Sequence, residues 1–352
     1  MNSSNKDLWN KPFSHIYVEK AIINTTQVTK ILTQFPDSTV IPIKHYKDVF
    51  NRSNQNFHNQ SLQRKLILAT NQGQLVYHGA PVCQNFGQEY FYYTSNVLNC
   101  LYDCEYCYLQ GMYPSANLVV FVNLSDHWNE LEKLLVEHPV YVCISYDTDL
   151  LALEPMFHFV KDWIEFAKLH DNLTIEIRTK SANPSLMEEL PVLDNIIYAW
   201  TLSPEVIQQQ FEHRTPSLQA RIKAVQTAIR VGHRVRLCFD PMLYIKDAKQ
   251  IYTDFITTVM SQIPAKALYD VSFGCFRISK EYKKQLKRQR PNSCITLYPY
   301  MQSEGYYHYR PQDMKELLTP VYELLLNHLP ADQIYLDALA MRLIASNTDH
   351  SK

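Results

Sequence analysis

The sequence predicts an α/β fold: a partial (β/α)6 barrel over residues 86–340, preceded by an N-terminal α/β extension over residues 1–85. Three observations carry this prediction. From about residue 90 onward, β-rich runs alternate with helical ones, the pattern of a parallel sheet covered by helices. A loop with three closely spaced cysteines follows the first of these runs, and barrels of this kind place their chemistry at the C-terminal ends of strands. The first 85 residues differ, with many Asn and Gln and a weaker periodicity.

The elements follow in order. Phe91-Tyr92-Tyr93 is a strand that leads into the cysteine loop, and Leu118 to Val122 is a short β-branched run. Trp128 to Glu137 has helical spacing, Val140 to Tyr146 reads as a buried strand, and Phe157 to Leu169 as a helix. Leu173 to Arg178 alternates apolar and polar residues, and Ile196 to Leu202 is apolar and aromatic, so both are strands. Thr215-Pro216 is a helix start, a capping hydroxyl followed by proline at the first helical position, for a helix over Ser217 to Val231. Arg234 to Phe239 is a strand, Gln250 to Ile263 a helix and Val271 to Phe276 a strand; an apolar helix over Met314 to Leu329 closes the C-terminal, substrate-facing segment.

Composition narrows the class. With 34 basic and 35 acidic residues, no global charge draws the chain to nucleic acid or membrane. A DNA partner therefore needs a local basic patch. Met1 to Asn10 is polar and lacks a signal peptide's apolar core, and no apolar run approaches the ~20 residues of a membrane helix. A long chain without a secretion signal makes a disulfide scaffold a poor reading of its eight cysteines. A cytoplasmic enzyme is the simplest expectation. Glycine numbers only seven, with no G-x-G-x-x-G and no Walker-type loop, which excludes a P-loop and a dinucleotide fingerprint.

The chemistry concentrates at Cys100, Cys104 and Cys107, spaced C-x3-C-x2-C. In a 352-residue chain with eight cysteines such a triplet is expected by chance about 0.004 times. Three thiolates can hold three irons of a [4Fe–4S] cluster and leave the fourth open to a small molecule, whereas an electron-carrying cluster normally has four cysteine ligands. Structural zinc is the alternative. It wants four ligands, usually as two C-x2-C-like pairs, and only Cys83 is a spare thiol nearby.

The motif resembles that of the radical S-adenosylmethionine (SAM) superfamily, so the barrel is identified as a radical SAM barrel. The resemblance implies that the open iron chelates SAM, that one electron from the cluster cleaves its sulfonium, and that a 5′-deoxyadenosyl radical abstracts hydrogen from the substrate. Tyr106 fits the family's aromatic position near the adenine. The Gly-Gly-Glu segment used by many members is absent. Longer stretches resemble spore photoproduct lyase, which reverts a thymine photoproduct in DNA: Asp103-Cys104-Glu105-Tyr106-Cys107-Tyr108-Leu109, Tyr146-Asp147-Thr148-Asp149, Arg178-Thr179-Lys180, Ser203, Phe211-Glu212 and Thr215.

By this resemblance Thr148 contacts SAM through its hydroxyl, Lys180 pairs with the SAM carboxylate and Ser203 hydrogen-bonds the cofactor. Each has a plainer reading: Thr148 and Ser203 as helix caps, Lys180 as an exposed strand-end lysine. The lyase returns a hydrogen atom from a cysteine thiol, and Tyr146 stands at that position here. Cys143, three residues earlier, points to the opposite face if the strand continues to Tyr146. Tyr146 itself, assisted by Tyr108, could donate instead. A second departure is Met301-Gln302, where the family has an Arg-Tyr pair against the lesion. Lys280, Lys283, Lys284, Lys287, Arg288 and Arg290, interleaved with Tyr282, form a basic run that either tracks a phosphate backbone or is a solvated helix face. The implied reductant is a flavodoxin or ferredoxin, and deoxyadenosine is reconverted to SAM after turnover. Two rivals stand beside this reading: a radical SAM enzyme of the same family with another substrate, and a non-catalytic DNA-binding protein with a structural metal.

Overall fold

A computed structural model describes residues 13–80, 83–303 and 305–345; the polar stretch Met1 to Asn10 lies outside them. The larger of two mostly parallel sheets runs, from one edge to the other, Ile334–Tyr335, Asp270–Cys275, Arg234–Met242, Ile196–Thr201, Leu173–Thr179, Val140–Cys143, Phe91–Thr94 and Val76–His78. All neighbours are parallel except the last pair, which is antiparallel. Six of these strands, from Phe91 to Cys275, follow chain order, as the successive strand–helix units of a barrel do. The two edges do not pair among the described residues, so the barrel is open.

The smaller sheet has the order Thr39–Ile43, His15–Glu19, Leu66–Ala69, Leu118–Phe121 and Val97–Leu98. The β-branched run Leu118–Phe121, expected among the barrel's strand–helix units, therefore belongs here, in parallel register with Leu66–Ala69. Both strands are wholly buried, and their near-continuous apolar sequence suits a parallel strand covered on both faces. The chain thus crosses between sheets in both directions around the cysteine loop: Val76–His78 joins the barrel, and Val97–Leu98 and Leu118–Phe121 return to the first sheet.

Other differences have local causes. The expected helix Phe157–Leu169 is two helices, Leu150–Phe157 and Phe159–Ala167, divided at His158, whose φ is 58°. The cap of helix Leu218–Val231 is Ser217, whose hydroxyl accepts from Ala220 N at 3.3 Å, and not Thr215. Thr215 Oγ1 instead donates to the Glu212 carbonyl at 2.7 Å. The strand from Val140 ends at Cys143, and Ile144 to Tyr146 form a bend and turn. Side-chain alternation therefore stops three residues before the sequence expects.

The lower half of the barrel lumen is filled by buried charge. Arg236 pairs with Asp270 and, at 2.6 Å, with Glu176; Tyr141 OH donates to Glu176 at 2.6 Å, and the guanidinium lies 3.3 Å from the centre of the Phe86 ring. The paired cation and anions satisfy one another, which a solitary buried charge could not do.

Candidate active site

The cysteine loop leaves the barrel after strand Phe91–Thr94. Asn99 adopts φ 72°, a left-handed conformation asparagine tolerates, and its buried amide donates to the carbonyls of Ser115 and Asn117, each at 2.7 Å. Downstream, Asp103–Cys104 pairs antiparallel with Glu212–His213, and Glu105 N donates to Phe211 O at 2.8 Å. Gln110 closes the loop by donating to Cys104 O at 2.7 Å, and Arg290 forms an ion pair with Asp103. Gly111 allows the basic helix Lys280–Gln289 to sit against the loop: a Cβ there would lie 2.3 Å from the Tyr282 carbonyl oxygen.

Burial pushes the Cys100 thiol up to about 12 and raises Cys104 and Cys107 as well. Two cations oppose this. Half-buried Arg64 favours the Cys100 and Cys107 thiolates and Lys180 those of Cys104 and Cys107. Arg64 reaches the Tyr102 carbonyl at 3.2 Å but leaves its buried Nε without a partner, and burial lowers it to about 10. Burial still outweighs the two cations at all three thiols. Among the described residues, no three His, Cys, Asp or Glu side chains converge on a single point as one metal ion requires.

Thr148 and Lys180 come together beside this loop because Asp149 binds both segments. Its carboxylate caps helix Leu150–Phe157 at Ala152 N (3.0 Å) and accepts from Thr179 Oγ1 (2.8 Å) and Lys180 N (2.6 Å). Thr148 Oγ1 is buried and has no hydrogen-bond partner. Lys180 Nζ lies 5.6 Å from the centre of the Tyr106 ring. An orphaned hydroxyl and an ammonium group at adjacent strand ends are hydrogen-bond donors that a carboxylate could accept from.

Ser203 and Tyr106 reach the same place with their protons already committed. Ser203 Oγ donates to Glu212 Oε1 at 2.7 Å, and Tyr106 OH donates to the same oxygen. Arg221 meets the other carboxylate oxygen at 2.6 Å, with both side chains fully buried. This ion pair holds the Glu212 carboxyl down to about 2 despite its burial. The hub of Glu212 and Arg221 was not singled out from the sequence as chemistry-bearing, and neither was Arg64. Their partners are contributed by segments far apart in the chain.

Tyr108 OH donates to the Tyr146 carbonyl at 2.7 Å and to Asp147 Oδ1 at 3.3 Å. The Tyr146 ring stacks on Tyr93 with centres 4.0 Å apart, and its hydroxyl lies 3.2 Å from Cys83 Sγ. Cys143 is buried, and burial raises its thiol to about 12. Because the strand ends at Cys143, the chain turns, and Tyr146 packs on the same apolar cluster as Cys143. The expected opposition of their two faces is not observed.

The basic run is divided by its helix. Lys280, Lys284, Lys287 and Arg288 are exposed at helical spacing, whereas Lys283 Nζ lies 4.4 Å from the centre of the Tyr307 ring and 5.1 Å from that of Tyr300. Tyr307 belongs to the hairpin Met301–Ser303 and Tyr306–His308, so Met301 and Gln302 sit exposed on its outer strand.

An open barrel with a three-cysteine loop after its first long strand defines a radical SAM enzyme. The family model "Spore photoproduct lyase" matches residues 89–335, and the chain belongs to that family. Spore photoproduct lyase of Clostridium acetobutylicum is 22% identical over 233 residues, 63% of this chain and 69% of the relative. Solved structures agree in fold. Spore photoproduct lyase complexed with dinucleoside spore photoproduct has a TM-score of 0.75 at 16% identity, covering 92% of this chain and all (100%) of that one. A double mutant of spore photoproduct lyase with bound AdoMet and dinucleoside spore photoproduct has a TM-score of 0.72 at 17% identity, covering 93% and 99%.

Proposed function

We propose that this protein is a lyase of DNA repair that returns a thymine photoproduct to two thymines by radical SAM chemistry. The observation that carries the reading is the three-thiol loop, with Cys104 buried and Cys100 and Cys107 half-buried, set beside Arg64 and Lys180, with the orphaned Thr148 hydroxyl near it. Cys100, Cys104 and Cys107 would hold three irons of a [4Fe–4S] cluster; Lys180, Thr148 and Ser203 would hold SAM, with Tyr106 flanking the adenine. Bound there, cluster and SAM supply a carbon-centred radical able to abstract hydrogen from an unactivated position.

The remaining work falls to the chain itself. Lys180 offers a compact cation to a carboxylate, and Glu212, kept ionised by Arg221, fixes the Tyr106 and Ser203 hydroxyls so that neither rotates away. The Arg236, Glu176 and Asp270 network closes the lumen from below and excludes water from that side. The exposed stripe Lys280, Lys284, Lys287 and Arg288 serves a DNA backbone, with the hairpin beside it against the lesion. A flavodoxin or ferredoxin is the expected reductant and the cytoplasm the expected compartment. Among the described residues no helix is long and apolar enough to cross a membrane.

Met301 and Gln302 on the exposed hairpin, and Tyr146 at the expected thiol position, favour as second reading a different substrate for the same chemistry. Anaerobically reconstituted protein incubated with photoproduct-containing DNA, SAM and dithionite separates the two. Recovery of thymine supports the repair reading; SAM cleavage without thymine supports the other.

A further inference from the structure

A second recess opens at the end of the barrel that carries the cysteine loop. Strands Phe91–Thr94 and Arg234–Met242 run in the same direction through the parallel sheet, so the chain beyond Met242 emerges at the end where the cysteine loop leaves. There a cavity of about 550 Å³ is lined in part by Tyr244, Tyr298, Lys246, Asp247, Lys249 and Glu316. Its size is that of a small-molecule site. The two lysines are matched by two carboxylates, so these walls offer hydrogen-bonding groups without a net charge. Such walls suit the edge of a neutral heterocycle better than a bare phosphate.

Both tyrosine rings are fixed in advance. Tyr244 OH donates to Glu316 Oε2 at 3.0 Å, and Tyr244 N donates to Tyr309 OH at 3.0 Å. Tyr298 OH donates to Asp313, and its ring meets that of Tyr309 edge-on with centres 4.8 Å apart. The Tyr244 and Tyr298 rings stand at 70° to each other with centres 6.0 Å apart. A planar ligand can therefore lie on the face of one ring and meet the edge of the other. The cavity is also joined to the hairpin. Tyr298 lies 4.9 Å from Tyr300, and Lys283 Nζ bridges Tyr300, at 5.1 Å, and Tyr307, at 4.4 Å. Tyr244, Tyr298, Tyr300 and Tyr307 are half-buried, whereas Tyr309 is buried. A row of half-exposed rings with a cation among them is how single-stranded nucleic acid is held, its bases on the rings and its backbone on the charge.

On the DNA reading proposed above, we infer that the cavity between Tyr244 and Tyr298 takes one unpaired base of the damaged strand, beside the lesion, and that the tyrosine row leads the strand there from the hairpin. The strand is then held at two places, the lesion at the lumen mouth and a neighbouring base outside it. Stacking accepts any base, because every base has a π-face, so the second hold adds affinity for an opened strand without reading its sequence.

The test uses the full chain without cluster or SAM, and a single DNA strand carrying one photoproduct with 2-aminopurine placed at successive positions on each side of it. At one flanking position the 2-aminopurine fluorescence should be quenched by wild type and by Tyr244→Phe, which keeps the ring, and not by Tyr244→Ala. Fluorescence anisotropy should show that Tyr244→Ala binds this strand about tenfold more weakly than wild type, while its affinity for a blunt, undamaged duplex stays within about twofold. A loss of equal size on the duplex, or the absence of any position whose quenching depends on Tyr244, overturns the assignment. Wild type that binds no strand overturns this assignment and the DNA reading together. Reconstituted wild type that cleaves SAM and forms no thymine, with the Tyr244-dependent quenching intact, overturns the repair reading and upholds the base site.

Discussion

Replacing Glu212 with glutamine keeps the shape of the hub under Tyr106 and Ser203 and removes its charge. Arg221, fully buried, then has no counter-ion. Breaking a buried pair from one side costs about 3–5 kcal/mol. The carboxyl offers an independent route to the same figure. Its folded value of about 2 lies well below the 4.5 of a free glutamate. At 1.36 kcal/mol per pH unit that difference is worth about 3 kcal/mol of folding stability at neutral pH. Because the folded value is depressed, the contribution is fully present above pH 4.5 and is lost as pH falls toward 2. Urea unfolding of wild type and Glu212→Gln, followed by tryptophan fluorescence, should give a gap of about 3 kcal/mol at pH 7 that falls to about half of that at pH 3. A gap below about 1 kcal/mol at pH 7, or one that does not narrow below pH 4.5, would refute the reasoning that this ion pair anchors the cofactor side of the barrel.

Three further outcomes are expected. Cys104→Ala should abolish the visible iron–sulfur absorbance of reconstituted protein and bound iron should drop with it; an unchanged spectrum would remove Cys104 from the ligand set. Lys180→Ala should weaken SAM binding about 10–100-fold, the value of a hydrogen bond between charged groups, as measured by equilibrium binding to reconstituted protein. Lys284→Ala with Lys287→Ala should lower affinity for duplex DNA and reduce the slope of log affinity against log salt by about 0.9 for each phosphate that is no longer neutralised.

Much of the fold was legible because strand–helix alternation depends on local patterns: Leu173–Thr179 and Ile196–Thr201 lie within a residue of their expected ends. Leu118–Phe121 was legible as a strand but not as a member of the smaller sheet. A run of buried β-branched residues is compatible with any covered parallel sheet, and only its partner Leu66–Ala69 decides which. The cysteine loop announced itself through spacing that chance does not produce. Arg64, Arg221 and Cys83 did not, because an arginine or cysteine outside a motif has no sequence signature. Each acquires meaning only when another segment brings Cys100, Glu212 or Tyr146 against it. The strand alternation applied to Cys143 and Tyr146 misled because it presumed three more residues of strand than the chain forms.

The proposed chemistry rests on an iron–sulfur cube with one iron left to SAM. Electron paramagnetic resonance of the anaerobically reduced protein, with and without SAM, examines that claim most directly. A [4Fe–4S]+ signal whose g values shift when SAM is added is the predicted result. A signal indifferent to SAM, or protein that assembles zinc and no cube, would contradict it.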